Sequence, residues 1–186
     1  MRIHHSERIK KNIKTPPPYN IILLKNKTES KKECEELLES MEEIIQEKIS
    51  ADHLLYVSLK YTKTCDVIQN LLIRWRKMIE IAIEQMLSHA KKKKMIKSVS
   101  VSPVEKLEQM KLLFKKNQDV MEMLELYEMF RKLELLKKER IGEFRKNVTL
   151  KVMYQGKEVA INLDKLKEYA YTLEKFITYV KQFLSS

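Results

Sequence analysis

The chain has 186 residues, 37 of them Lys or Arg against 26 Asp or Glu, and a formal net charge of +11. Two glycines and four prolines are too few for a loop-rich enzyme scaffold and favour long uninterrupted helices. The positive balance suits nucleic acid, an anionic membrane surface or an acidic protein as partner, or reflects a source whose proteins are Lys-rich in general; no apolar run approaches the roughly 18–20 residues of a membrane span.

Residues 1–18 carry Arg2, Arg8, Lys10, Lys11 and Lys14 against the single acid Glu7 and end in Pro16-Pro17-Pro18. With little apolar surface to bury and no apolar h-region, the segment reads as a basic flexible tail and not as a secretory signal. It either tracks a phosphate backbone or is a plain solvated terminus. The run Asn20 to Leu24 is short and apolar, which suits a strand at 20–24 better than a helix.

A helix is expected from about Glu29 or Ser30, with Leu37, Leu38, Met41, Ile44, Ile45 and Ile49 at helical spacing. Acids outnumber lysines along it, so this helix is negative in a positive protein and can pair with a basic helix elsewhere. Ser50 and Asp52 offer a break or a new cap before Leu54, Leu55, Val57, Leu59 and Tyr61. A central helix is expected from about Thr64 to Met95. Its apolar positions Ile68, Leu71, Leu72, Trp75, Met78, Ile79, Ala82, Met86 and Ala90 draw one continuous stripe, in which Trp75 is a structural residue. Ile81 and Ile83 widen the stripe, so the helix is expected to meet more than one neighbour. Arg74, Arg76 and Lys77 crowd one turn, either as solvated flanks of a core helix or as ligand contacts.

Lys91, Lys92, Lys93 and Lys94, with Lys97, close that helix where cations suit the unpaired carbonyls. The Ser98 to Pro103 segment is expected to be a flexible connection, with Ser102-Pro103 opening the next helix. From Val104 to about Arg140 the apolar recurrence describes one long helix, or two joined near Lys116-Asn117. Its methionines, Met121 and Met129 among them, either fill a core or form an adaptable docking face.

Near Gly142 the period changes to two. Val148, Leu150 and Val152, then a turn at Tyr154-Gln155-Gly156-Lys157, then Val159, Ile161 and Leu163 describe a β-hairpin in which Gly156 takes a positive φ. Asp164 can cap a last amphipathic helix. The expected fold is therefore mainly α: long amphipathic helices form a helical body over 19–140, followed by a small carboxyl-terminal ββα unit over 141–186.

Chemistry is sparsely signalled. Cys34 and Cys65 are isolated, which favours a reduced intracellular compartment and leaves one bridge open. His4, His5, His53 and His89 do not converge at metal-site spacing, and no phosphate loop or nucleophile elbow is present. The expectation is a noncatalytic protein with no cofactor and no metal. The nucleic-acid-binding candidates are Arg8, Lys10, Lys11, Lys14, Lys91, Lys92, Lys93, Lys94 and Lys97, with the turn Arg74 to Lys77 and the stretch Lys137 to Lys151 also basic. Tyr154 and Tyr171 are either stacking surfaces or core and interface residues. Ile81, Ile83, Met121 and Met129 are the candidate interface residues for a homo- or hetero-oligomer.

The run Asn70-Leu71-Leu72-Ile73-Arg74-Trp75-Arg76-Lys77-Met78-Ile79-Glu80-Ile81-Ala82 resembles the arginine- and lysine-bearing helix of archaeal GINS subunits. The preceding acidic helix and the break at Ile49 to Tyr56 are similar in order to the helical domain of that family, so residues 30 to about 138 carry the resemblance. It implies a noncatalytic scaffold or adaptor that links components of the replicative helicase complex, with replication proteins and DNA as partners; the expected location is cytoplasmic. The composition alone also fits a helical protein-interaction or regulatory module without nucleic-acid contact.

Overall fold

The computed structural model describes residues 41–186, with Glu35, Leu38 and Glu39 ahead of them. The expected basic tail, the strand at 20–24, Cys34 and the candidates Arg8, Lys10, Lys11 and Lys14 lie outside the described residues. Backbone contacts group the chain into Met1–Glu36 and Leu37–Ser186, and the core described here belongs to the second unit.

A first helix, α1, runs through residues 41–62 without a break at Ser50 or Asp52. Asp52 instead accepts an ion pair from Lys48 one turn earlier, at 2.6 Å, which supports the helix where a cap was expected. Within α1 the segment Leu54–Ser58 is π-helical, and the chain reverses at Lys63, whose φ is 50°. The central helix α2, Cys65–Lys92, follows an extended Thr64. Its twelve buried side chains include Trp75, which stacks on Phe130 with centroids 6.1 Å apart.

Two further helices, α3 (Pro103–Phe114) and α4 (Gln118–Lys132), are separated where the sequence allowed a break. Proline at the first turn starts α3, and the Asn117 side chain starts α4 by accepting the Val120 N–H at 3.0 Å. The helical reading past Leu136 is corrected. After a 3₁₀ turn at Leu133–Leu135, residues Lys138–Ile141 form a strand, β1, whose carbonyls and amides pair with β2 (Thr149–Tyr154). Lys-Glu-Arg-Ile carries no alternating apolar signal of its own, so only this cross-strand pairing fixes it as a strand.

Strand β2 also pairs with β3 (Lys157–Ile161), giving a three-stranded antiparallel sheet in the order β1-β2-β3. The expected two-residue turn is present: Gln155 and Gly156 have φ of 50° and 76°, the pair of positive values that a right-twisted hairpin requires. Helix α5, Leu163–Leu184, closes the chain. Its cap is Asn162, which accepts the Lys165 N–H at 2.9 Å, and Asp164 sits in the first turn instead of capping it. The fold is thus mainly α with a small βββα end.

Helix α2 packs against α1, α3, α4, α5 and β2, so it is lined on several sides. Leu150, Val152 and Ile161 turn the sheet's apolar face into the core that α2 and α5 share. Each fully buried Leu, Ile, Phe or Met contributes about 1.5–3 kcal/mol against the cost of ordering the chain. The two ends of α2 emerge from that core at opposite corners, and both are basic.

Candidate nucleic-acid interface

The carboxyl end of α2 is closed by backbone geometry. Met95 N–H donates to the Ala90 carbonyl at 2.8 Å and Lys94 N–H to the Lys91 carbonyl at 2.9 Å, the paired bonds of a Schellman motif, with Lys94 in the left-handed region at φ 59°. Glycine usually fills that position, because it alone meets no Cβ penalty there. Lys91, Lys92, Lys93, Lys94 and Lys97 are all exposed. Behind them, His89 packs edge-on to Phe183 at 5.2 Å, and Lys93 Nζ donates to the Ser186 carbonyl oxygen at 2.8 Å. The connection that follows is tied to α3 by Gln109, which donates to the Ser98 carbonyl at 3.0 Å and accepts the Ser100 N–H at 3.1 Å.

Midway along α2 the basic turn is committed to the fold. Glu47 of α1 is buried and accepts from Arg74 at 3.0 Å and from Lys77 at 2.5 Å, as the opposed charges of the two helices led one to expect. Burial alone pushes the Glu47 carboxyl up, but the hydrogen bonds from Lys77 and Arg74 outweigh it and leave the group below its ordinary value. Arg76 pairs with Glu80 and Glu134. Beside the Glu47 pair lies a groove of about 290 Å³ whose lining includes Glu39, Glu42, Glu43 and Ile81. Its carboxylates repel a phosphate.

The amino end of α2 is built from a distant part of the chain. Thr64 makes no side-chain cap; the Cys65 N–H instead donates to the Glu143 carboxylate, with oxygens at 3.2 and 3.3 Å. Glu143 sits in the loop between β1 and β2, and the next residue, Phe144, donates its N–H to the Lys63 carbonyl at 2.8 Å. Arg140 adds a forked contact to Asp66 of the first α2 turn, at 2.5 and 3.2 Å. The loop folds back on itself through Arg145 N–H to the Gly142 carbonyl at 2.9 Å. Gly142 is required there: its φ is 66°, and a Cβ would stand 3.1 Å from the Asn147 carbonyl oxygen.

This docking leaves two aromatic side chains outward. Phe144 is 76% exposed with φ 63°, and Tyr61, two residues before Lys63, is 75% exposed. Lys60 lies over the Tyr61 ring at 5.7 Å, and Arg145 and Lys146 are exposed beside Phe144. Sequence reasoning included the stretch Lys137 to Lys151 only as a run of charge and missed the corner. The signal was Glu143-Phe144-Arg145-Lys146 just after Gly142: an aromatic residue flanked by charges in a turn.

The candidate interface residues are not alike. Ile83 and Met129 are corrected to core positions, buried because α2 and α4 each meet several neighbours. Ile81 and Met121 are partly buried against the same core. Exposed apolar side chains collect on α1 at Ile45, Ile49 and Tyr56, four or seven residues apart. Trp75 is in the core, and Gly156 forms the hairpin turn. Tyr154 is partly buried, with Lys132 over its ring at 5.8 Å, whereas Tyr171 is exposed beneath Lys175 at 5.0 Å.

Burial and the Glu143 carboxylate push the Cys65 thiol up to about 11, so it stays protonated at neutral pH and donates to the Thr149 carbonyl at 3.5 Å. Among the described residues no three His, Cys, Asp or Glu side chains are placed to hold a metal ion, and no described helix is long and apolar enough to cross a membrane. Comparison with protein-family models, with curated proteins and with solved structures finds no match to this chain.

Proposed function

We propose that this protein is a noncatalytic scaffold or adaptor subunit of a nucleic-acid-processing assembly, which it joins through charge and through an apolar helix face. One observation carries the reading: exposed basic side chains gather at both ends of α2, Lys91, Lys92, Lys93, Lys94 and Lys97 at one and Lys60, Arg145 and Lys146 at the other. Exposed lysines and arginines can neutralise phosphates without reading sequence. The resemblance of Asn70 to Ala82 to the archaeal GINS helix gives the assembly its specific form within this proposal, the replicative helicase complex.

A second reading, a helical interaction module without nucleic-acid contact, is favoured by the exposed Ile45, Ile49 and Tyr56 on the acidic α1. The two are separated by titrating the full chain, with and without residues 1–18, into single- and double-stranded nucleic acid across a salt series, and by identifying partners recovered from the source cells. The assembly reading expects affinity that falls with salt and is indifferent to base order, together with nucleic-acid-processing partners. Salt-insensitive recovery of unrelated proteins, with no nucleic-acid binding, selects the module.

A further inference from the structure

We propose that the corner formed by the β1–β2 loop and the end of α1 binds single-stranded nucleic acid, stacking bases on Phe144 and Tyr61 while Lys60, Lys63, Arg145 and Lys146 hold the adjoining phosphates. The inference rests on the nucleic-acid reading above and assigns it a contact surface that the lysine run does not supply.

Three observations meet at this corner. The first is proximity: Phe144 N–H bonds to the Lys63 carbonyl, and Tyr61 lies two residues from Lys63. Two residues of chain and one hydrogen bond span on the order of 10 Å, so the backbones that carry the two exposed rings are neighbours. The second is conformation. Phe144 holds a left-handed φ of 63°, where a bulky residue is strained and glycine fits better, yet its ring is 76% exposed and gains little from packing. Strain of this kind, unrepaid by the core, points to a use for the ring outside the fold.

The third is charge. Arg140 pairs with the carboxylates of Asp66 and Glu143 at the same corner and offsets one of their two charges. Among the described residues Lys60, Lys63, Arg145 and Lys146 make no ion pair, so the surface around the rings is positive. Cations beside flat rings are the combination that tracks a phosphate backbone and stacks unpaired bases. A duplex has its bases already stacked on one another, so the rings favour a single strand. Two rings among four cations offer too little apolar surface to enter a bilayer.

The test is fluorescence anisotropy on the full chain with labelled oligo(dT) and oligo(U), the matching duplexes, and phosphatidylserine vesicles. Phe144→Gly removes the ring and relieves the backbone, so its Tm should be unchanged or higher while single-strand affinity falls about fivefold to a hundredfold. Tyr61→Ala should act in the same direction, and Phe144→Trp should keep the affinity. Duplex binding should change less than about twofold in the ring variants, because phosphate contacts alone support it. If the ring variants bind single strands like the parent while neutralising Lys91 to Lys94 abolishes binding, this corner is not the site and the nucleic-acid reading stands. Absence of nucleic-acid binding by the parent chain overturns both. Binding to vesicles without binding to oligonucleotides overturns both as well and makes the loop a membrane contact.

Discussion

The two ends of α2 reach similar surfaces by different routes. At the carboxyl end, five lysines that are nearly consecutive in sequence surround a Schellman motif made from the helix's own backbone, and local geometry explains both bonds of that motif. At the amino end, Lys60 and Lys63 meet Arg145 and Lys146 only because Glu143 caps Cys65 and Phe144 bonds to Lys63, across some eighty residues of sequence. A contiguous cluster of charge is cheap to write and easy to read, whereas an assembled one depends on the sheet, the loop and the helix all being in place. Each corner also holds non-glycine residues at positive φ, Lys94 at one and Lys63 and Phe144 at the other.

The comparison breaks most sharply at Gly142. Gly142→Ala imposes a left-handed alanine and a tight contact to Asn147, which should destabilise the fold by about 2 kcal/mol. Chemical denaturation should show the loss, and amide exchange should place it at the β1–β2 loop and the first turn of α2, with the amides from Lys91 to Met95 unchanged. Equal exchange at both corners would mean that the amino corner is not separately assembled.

The paired turn between the corners gives the next largest effect and a pH signature. The Glu47 carboxyl lies below its ordinary value in the folded chain, so its contribution is present above the unfolded value of about 4 and is lost as pH falls through the lower folded value. Glu47→Gln should therefore cost about 1–2 kcal/mol at neutral pH and flatten the acid limb of the stability curve. Thermal melts from pH 7 to pH 2 measure it. A constant difference between the two proteins down the whole acid limb would contradict the assignment.

Glu143→Ala sharpens the comparison by removing the borrowed cap together with its exposed pairing to Arg140. The expected cost is about 1 kcal/mol, or about 2–4 °C in Tm for a chain of this size. Faster exchange of the Cys65 amide should accompany it. At the other end Lys94→Gly should stabilise by about 0.5–1 kcal/mol, because the residue already occupies a glycine conformation. Loss of stability there would show that the Lys94 side chain contributes packing that its exposure does not reveal.

The same contrast governs how far the chain could be read before its fold was known. Helix α2 was legible because Ile68 to Ala90 repeat at helical spacing, and the hairpin because Val148, Leu150 and Val152 alternate toward Gly156. The opposed charges of α1 and α2 pointed to a pairing, and Glu47 with Arg74 and Lys77 supplies it. Strand β1 was not legible: Lys138 to Ile141 have no apolar alternation, and their conformation comes from pairing with β2. Burial of Ile83 was equally hidden, since periodicity gives a face but not the number of neighbours that cover it, whereas for Met129 the spacing left core and docking face open and the structure selects the core. The amino corner was out of reach for the same reason, because no local pattern tells Glu143 which helix it will cap.

The direct test of the central claim, that α2 presents two basic ends to nucleic acid, is the salt dependence of single-strand binding by the full chain with each corner neutralised in turn. Replacing Lys91, Lys92, Lys93 and Lys94 by Gln, or Lys60, Lys63, Arg145 and Lys146 by Gln, should each make the slope of log K against log salt shallower, by about 0.7 for every phosphate contact removed. Circular dichroism should be unchanged in both. A slope that either replacement leaves at the parent value, with folding intact, would contradict the claim for that corner, and a parent chain without measurable salt-dependent binding would contradict it for both.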